Sequence, residues 1–169
     1  MESIENEVAR LRSQLRVVTD RSDVRDLVER YVVGLDTLHE PEFDESWYRT
    51  VFTEDARLDF PVGSHRGVKG LARFQREAKG RWARTHHLGS NSTIHFDGDR
   101  AEVRAHLIAT HVHHDDEGPH FNVGTYFDIG AVRTPDGWRI DRLACRVVWT
   151  AGKGLASVPG ADRGSMSCA

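Results

Sequence analysis

The amino-acid sequence predicts an α+β fold in which N-terminal helices close over a cone-shaped, curved antiparallel sheet. Three observations carry that expectation. Apolar residues recur at helical spacing through most of the first half, and from Thr85 onward the period drops to two. The turn sequences Asp97-Gly98-Asp99 and Pro135-Asp136-Gly137 then divide the second half into strands that can pair as hairpins. Strands of about a dozen residues twist and curl, so helices laid across the concave side would enclose an apolar pocket.

Taken in order, residues 2–18 carry Ile4, Val8, Leu11, Leu15 and Val18, a narrow seam that must pack on its own domain or on a second subunit. Thr19 to Asp23 are polar and suited to capping, so residues 1–21 are expected as a separate amphipathic helix. Val24, Leu27, Val28, Tyr31, Leu35 and Leu38 then give a second helix with a wide apolar face, interrupted by Pro41. Phe43 to Phe52 reads as a short helix, and Arg57 to Phe60 as a short strand ended by Pro61 and Gly63. Gly67 and Gly70 bracket the entry to a helix over about Val68 to Trp82, with Leu71, Phe74 and Ala78 inward. Strands follow over residues 85–96, 101–113, 121–133 and 138–150, completing one domain over 22–150. Residues 151–169, rich in Gly, Ser and Ala, read as a mobile tail.

The 169 residues suffice for one domain with a substantial core. A net charge of -3 gives no electrostatic reason to expect nucleic acid or an anionic membrane as partner. No apolar run approaches the roughly 20 residues that cross a bilayer, and no signal-peptide core is visible, so the expected location is cytoplasmic. Cys145 and Cys168 make neither a disulfide framework nor a zinc knuckle.

The chemistry is expected around Thr85-His86-His87-Leu88-Gly89-Ser90-Asn91. In a strand, His87 and Asn91 point to one face with Gly89 between them. His87 would transfer a proton and Asn91 would orient a substrate oxygen; a structural histidine and a satisfied buried amide are the plainer alternatives. Strict alternation puts His111 inward with Val103, Ala105, Leu107 and Ala109, an expensive placement unless the ring has a partner. Tyr126 and Asn122 share a face that the pattern does not assign inward or outward, and Tyr126 could be a proton donor or a core ring. Trp47, Phe60, Phe74, Leu107, Cys145, Val147 and Trp149 are candidate pocket walls, each read more simply as packing than as recognition. The histidines near residues 111–120 surround a polar loop with no ligand spacing among them, and no metal is expected.

Several short motifs resemble the SnoaL-like branch of the nuclear transport factor 2-like superfamily, which includes polyketide cyclases and scytalone dehydratase. They are Arg25-Asp26-Leu27 through Tyr31 and Asp36, Phe52-Thr53-Glu54-Asp55-Ala56, Thr85-x-His87 with Asn91, Ala109-Thr110-His111, Gly124-x-Tyr126, Pro135-Asp136-Gly137-Trp138 and Val148-Trp149-Thr150. The resemblance implies a cone with an internal pocket, a homodimer, and a histidine at position 87 oriented by an aspartate matched here by Asp36. It also implies a second histidine, matched by His111, beside the substrate. Helical periodicity alone places Asp36 on the flank of the apolar face and His39 nearer its centre. Leu35 stands where the dehydratase pattern has a tyrosine, and Arg104 points outward, so neither a tyrosine-held water nor an Asp–Arg–Asp set is expected.

The resulting expectation is a cofactor-independent acid–base enzyme, a cyclase, dehydratase, isomerase or epoxide-opening cyclase acting on a small apolar polyketide- or terpenoid-like molecule. His87, Asp36 and His111 would be catalytic, with Asn91, Tyr126, Trp47, Phe60, Leu107 and Trp149 against the substrate. The alternative is a non-catalytic binding or oxygenase-subunit-like scaffold protein.

Overall fold

One long helix, α1 (Ile4–Gly34), runs where two were expected. The computed structural model describes residues 3–37, 40, 43–115 and 118–154. The expectations that fall on Leu38, His39, Pro41 and the tail from residue 155 lie outside the described residues. Ser3 caps α1 by accepting from the Asn6 backbone N–H. The polar stretch Thr19–Asp23 does not end the helix, because Asp20 is spent on a tertiary contact. Its carboxylate accepts from Arg133 and from the Trp138 indole N–H, and Arg133 lies over the Trp138 ring. From Asp20 onward α1 buries Val24, Leu27, Val28, Tyr31 and Val32, whereas Ile4, Val8, Leu11, Leu15 and Val18 remain exposed.

Two shorter helices follow the same logic. α2 (Glu45–Val51) is capped by Asp44, whose carboxylate accepts from the Ser46 and Trp47 N–H groups. It passes directly into β1 (Phe52–Phe60), longer than the strand expected from the sequence. β2 (Gly63–Arg66) pairs antiparallel with β1 and was not anticipated, since Pro61 and Gly63 read as a stop and instead make the turn of a hairpin. α3 (Leu71–Lys79) is shorter than the span from Val68 to Trp82.

The four long strands fall close to their expected bounds: β3 (Arg84–Asp97), β4 (Arg100–Val112), β5 (Phe121–Thr134) and β6 (Gly137–Ala151). They form an antiparallel meander, and β1 joins β6 in parallel to give a six-stranded sheet in the order β2-β1-β6-β5-β4-β3. The helices cover the inward face, where Val103, Ala105, Leu107, Phe127, Ile129, Ile140 and Leu143 meet the buried side of α1. In the core, Gln75 joins two fully buried tyrosines: its amide donates to Tyr31 Oη at 2.8 Å, and Tyr48 Oη donates to its carbonyl at 3.1 Å.

Two of the sheet's irregularities bear on the residues expected around the cone. β3 carries a bulge between Ser90 and Thr93, with Asn91 at a φ of 51°. Thr85 and His87 face inward before it, and Ser92, Ile94 and Phe96 after it. β6 carries a second between Val147 and Trp149, which sends Trp149 to the outer face opposite Gly124. A Cβ on Gly124 would lie 2.1 Å from the Trp149 indole nitrogen, so only glycine lets that ring lie flat there. Leu88, Ile108, Gly124 and Trp149 thereby form one row across four strands of the outer face.

Candidate active site

The site is assembled at one end of the cone, where α1 stops, α3 stops and the meander begins. α1 finishes in a tightened turn, with Asp36 N–H donating to Val33 C=O and Thr37 N–H to Gly34 C=O. These i to i−3 bonds rotate Asp36 off the position a regular helix would give it, which is why the helical wheel placed it on the flank. Its carboxylate then reaches β3. Oδ1 lies 2.6 Å from His87 Nδ1 and accepts from Thr85 Oγ1 at 2.9 Å, while Oδ2 accepts from the His87 backbone N–H at 2.8 Å. An ionised carboxylate only accepts, so Nδ1 carries the proton and Nε2 presents a lone pair.

Lys79, at the last turn of α3, occupies that lone pair. Its Nζ lies 3.2 Å from His87 Nε2 and 3.4 Å from Thr85 Oγ1. His111 stands beyond, its ring centroid 5.8 Å from that of His87 and nearly perpendicular. Trp82 and Phe121 stack at 5.7 Å with planes 5° apart, and both pack on the His111 ring. His111 Nδ1 is buried without a hydrogen-bond partner among the described residues.

Burial governs the electrostatics. It holds His87 below its ordinary value, and Lys79 adds to that; the hydrogen bond that His87 donates to Asp36 acts the other way without prevailing. A carboxylate neighbour ordinarily raises a histidine; here burial outweighs it, and His87 is a neutral imidazole at neutral pH. Burial also works to raise Asp36, but the side-chain and backbone bonds from His87 together keep it ionised below the usual carboxylate range. Burial brings Lys79 down to about 8 against the pull of Asp36. His111 falls to about 4, through burial first and the charge of Lys79 second.

The His111 shift has a consequence for stability. Its pKa is 6.5 when unfolded and about 4 when folded, so across that window the unfolded chain binds more protons. Stability is retained above pH 6.5 and falls as the pH drops toward 4, by about 1–2 kcal/mol from this residue once solvent screening of the partly exposed ring is allowed for. His111→Phe should flatten the fall in thermal midpoint between these two pH values; an equal fall in the variant would assign it elsewhere.

Against this geometry, the SnoaL-like domain profile matches residues 16–144. The chain belongs to the SnoaL-like family. The uncharacterized protein Rv2910c of Mycobacterium tuberculosis is 29% identical over 137 residues, covering 78% of this chain and 88% of the relative. Among solved structures, the Kfla4162 protein of Kribbella flavida superposes with a TM-score of 0.71 at 26% identity, over 80% of this chain and 95% of that one. A hexachlorocyclohexane dehydrochlorinase, LinA-type3 from Novosphingobium barchaimii, gives 0.71 at 17% identity, over 86% and 99%. At that identity the likeness is one of fold, and the fold is nuclear transport factor 2-like.

Within this SnoaL-like domain, the expected site residues separate into two groups. His87, Asp36 and His111 converge. Leu107 is buried on the same face, opposite Gly89 and one inward position along from the His87–Ala109 pair. Gly89 gives space not to a ligand but to α1, since a Cβ there would meet Val32 at 3.3 Å. Phe60 packs on Phe74, and Trp47 packs on Phe43 and Tyr48, its ring filling the space over Gly34. The groove beside Trp47, lined also by Asp26, Arg30 and Val33, shares no residue with the His87 cluster.

Three assignments are corrected. Asn91 is exposed on the bulge, whose extra residue breaks the alternation that was to place it beside His87. Tyr126 lies on the outer face, opposite His106 and 4.4 Å from the Arg104 guanidinium carbon. Trp149 is on the outer face for the reason given above. Lys79, Thr85, Trp82 and Phe121 were missed as site residues. Lys79 had a signal: Leu71, Gln75 and Lys79 recur every four residues, and a lysine extending an inward stripe needs a partner. Among the described residues, no group of three or more His, Cys, Asp or Glu side chains is placed to hold a metal ion. No described helix is long and apolar enough to cross a membrane.

Proposed function

We propose that this protein is a cofactor-independent acid–base enzyme acting on a small, largely apolar polyketide- or terpenoid-like molecule. The observation that supports this best is a neutral His87 whose Nδ1 proton is committed to Asp36 and whose Nε2 lone pair is met, among the described residues, only by Lys79, with the His111 ring beside it. Asp36 is the orienting group: it fixes the tautomer and stabilises the imidazolium that forms when Nε2 takes a proton. His111, neutral at working pH, stands where it can donate to or accept from a second substrate atom. Cyclisation, dehydration, isomerisation and epoxide opening all use such a proton transfer in a site that excludes water.

The test is isotope exchange. A panel of cyclic and aryl ketones and β-hydroxyketones is incubated with the protein in deuterium oxide and followed by mass spectrometry. Deuterium incorporation or product above the solvent rate is expected for at least one member. Panel members that bind without either would favour the binding-protein reading.

The same proposal includes a homodimer, with the row Leu88, Ile108 and Trp149 as its contact. These apolar side chains are 60%, 49% and 44% exposed in one row on the outer sheet face. Ile108→Arg should convert the dimer to monomer in sedimentation velocity without altering the circular dichroism; an unchanged sedimentation coefficient would move the contact elsewhere.

A further inference from the structure

Lys79 presents a difficulty that the acid–base reading does not by itself resolve. A general base must show its lone pair to the substrate, yet the His87 lone pair is met by a lysine nitrogen at 3.2 Å. The ammonium can leave Nε2 at low cost only if another acceptor takes its place, because a part-buried cation without a partner is strongly disfavoured. Thr85 Oγ1 already gives it one weak contact at 3.4 Å. His111 and the Trp82–Phe121 stack offer no anion. Asp36 is fully engaged by His87 and Thr85. The missing acceptor must therefore arrive with the substrate.

We propose that Lys79 is a catalytic residue that transfers from His87 Nε2 to a substrate oxygen on binding and holds the oxyanion formed there. This rests on the acid–base reading and narrows its substrate to a carbon acid with a carbonyl oxygen beside the carbon that loses its proton. Two nitrogens 3.2 Å apart can address two atoms of one molecule separated by two bonds, as the α-carbon and carbonyl oxygen of a ketone are. His87 Nε2 takes the α-proton, the C–H electron pair becomes the carbon–carbon double bond, and the carbonyl π pair moves onto oxygen. The ammonium of Lys79 pairs with that enolate, and the proton on His87 returns to carbon or passes to a leaving hydroxyl. Lys79 is itself the last residue of α3, which anchors the foot of the side chain that carries the charge, so the same device gives both the resting lock and the oxyanion contact.

The experiment uses 4-nitrophenol, a planar oxygen acid whose ionised form is yellow, as a probe of the bound oxyanion. It is titrated with the full chain below neutral pH, and the ionised fraction of bound dye is compared with that of free dye. In the wild type the bound dye is expected to be ionised roughly tenfold more than the free dye, a shift of about one pKa unit. Lys79→Met and Lys79→Gln should abolish the shift and Lys79→Arg should restore it. His87→Gln should keep it, because the fixed charge is on the lysine. Absence of dye binding, binding without the ionisation shift, or an equal shift in both neutral variants would overturn the proposal. Failure of the acid–base reading is distinguishable: His87→Gln would then retain deuterium exchange, whatever the dye reports.

Discussion

His87→Gln is expected to lower proton exchange into the responsive ketone by roughly 10³-fold, within the usual range of about 10²–10⁴ for a positioned acid or base. Glutamine approximates the reach of the imidazole and can still meet the Asp36 carboxylate with its amide N–H, so the local bonds from Thr85 and the position 87 backbone survive. It cannot carry a proton between two positions. The variant should therefore fold, with an unchanged far-ultraviolet spectrum and a thermal midpoint close to the wild type. Measured beside the wild type in deuterium oxide, a loss of less than about fivefold would remove His87 from the role of general base, whose usual contribution is far larger.

The largest effect on stability is expected at Gln75, away from the chemistry. Its amide is the hydrogen-bond partner of both Tyr31 and Tyr48, whose side chains are completely buried. Gln75→Leu preserves approximate volume and leaves two phenolic oxygens without partners in the core. Each such group costs about 1–3 kcal/mol, so the loss should be about 2–6 kcal/mol. Urea denaturation should show a lower midpoint with an unchanged slope, because the surface exposed on unfolding is the same. A loss below about 1 kcal/mol would mean that water takes over the amide's bonds, a far cheaper arrangement than leaving them open.

The parts of this molecule that could be read from the sequence are those where one physical rule acts alone. The meander was legible because alternation persists for a dozen residues at a time and the turns are written in Asp, Gly and Pro. The inward face of β4, from Ala101 to His111, follows that alternation without interruption. Reading failed where a tertiary partner overrode a local preference. Asp20 resembles a helix cap until Arg133 and Trp138 claim its carboxylate. Asn91 was placed by a period that the bulge breaks one residue earlier. Asp36 was supplied by family resemblance and not by periodicity, because the turn that aims it is no longer α-helical. Lys79 escaped notice because an apolar count along α3 passes over a lysine, although its neighbours on the stripe are inward.

The bulge in β3 has one more consequence. It makes the strand two half-strands whose inward positions differ in parity, odd-numbered Thr85 and His87 before it and even-numbered Ile94 and Phe96 after it. A deletion of either Asn91 or Ser92 would restore a perfect ladder with both halves still inward, because the partners of His87 and Ile94, Ala109 and Val103, lie six residues apart on β4. An added residue is the costly change: with the bulge already in place one half must turn over, sending either the histidine or the isoleucine and phenylalanine into water. The strand can therefore shorten by one residue here at the cost of the bulge alone, but cannot lengthen by one without turning a half over. Gain of a single residue should be rarer among functional descendants than its loss.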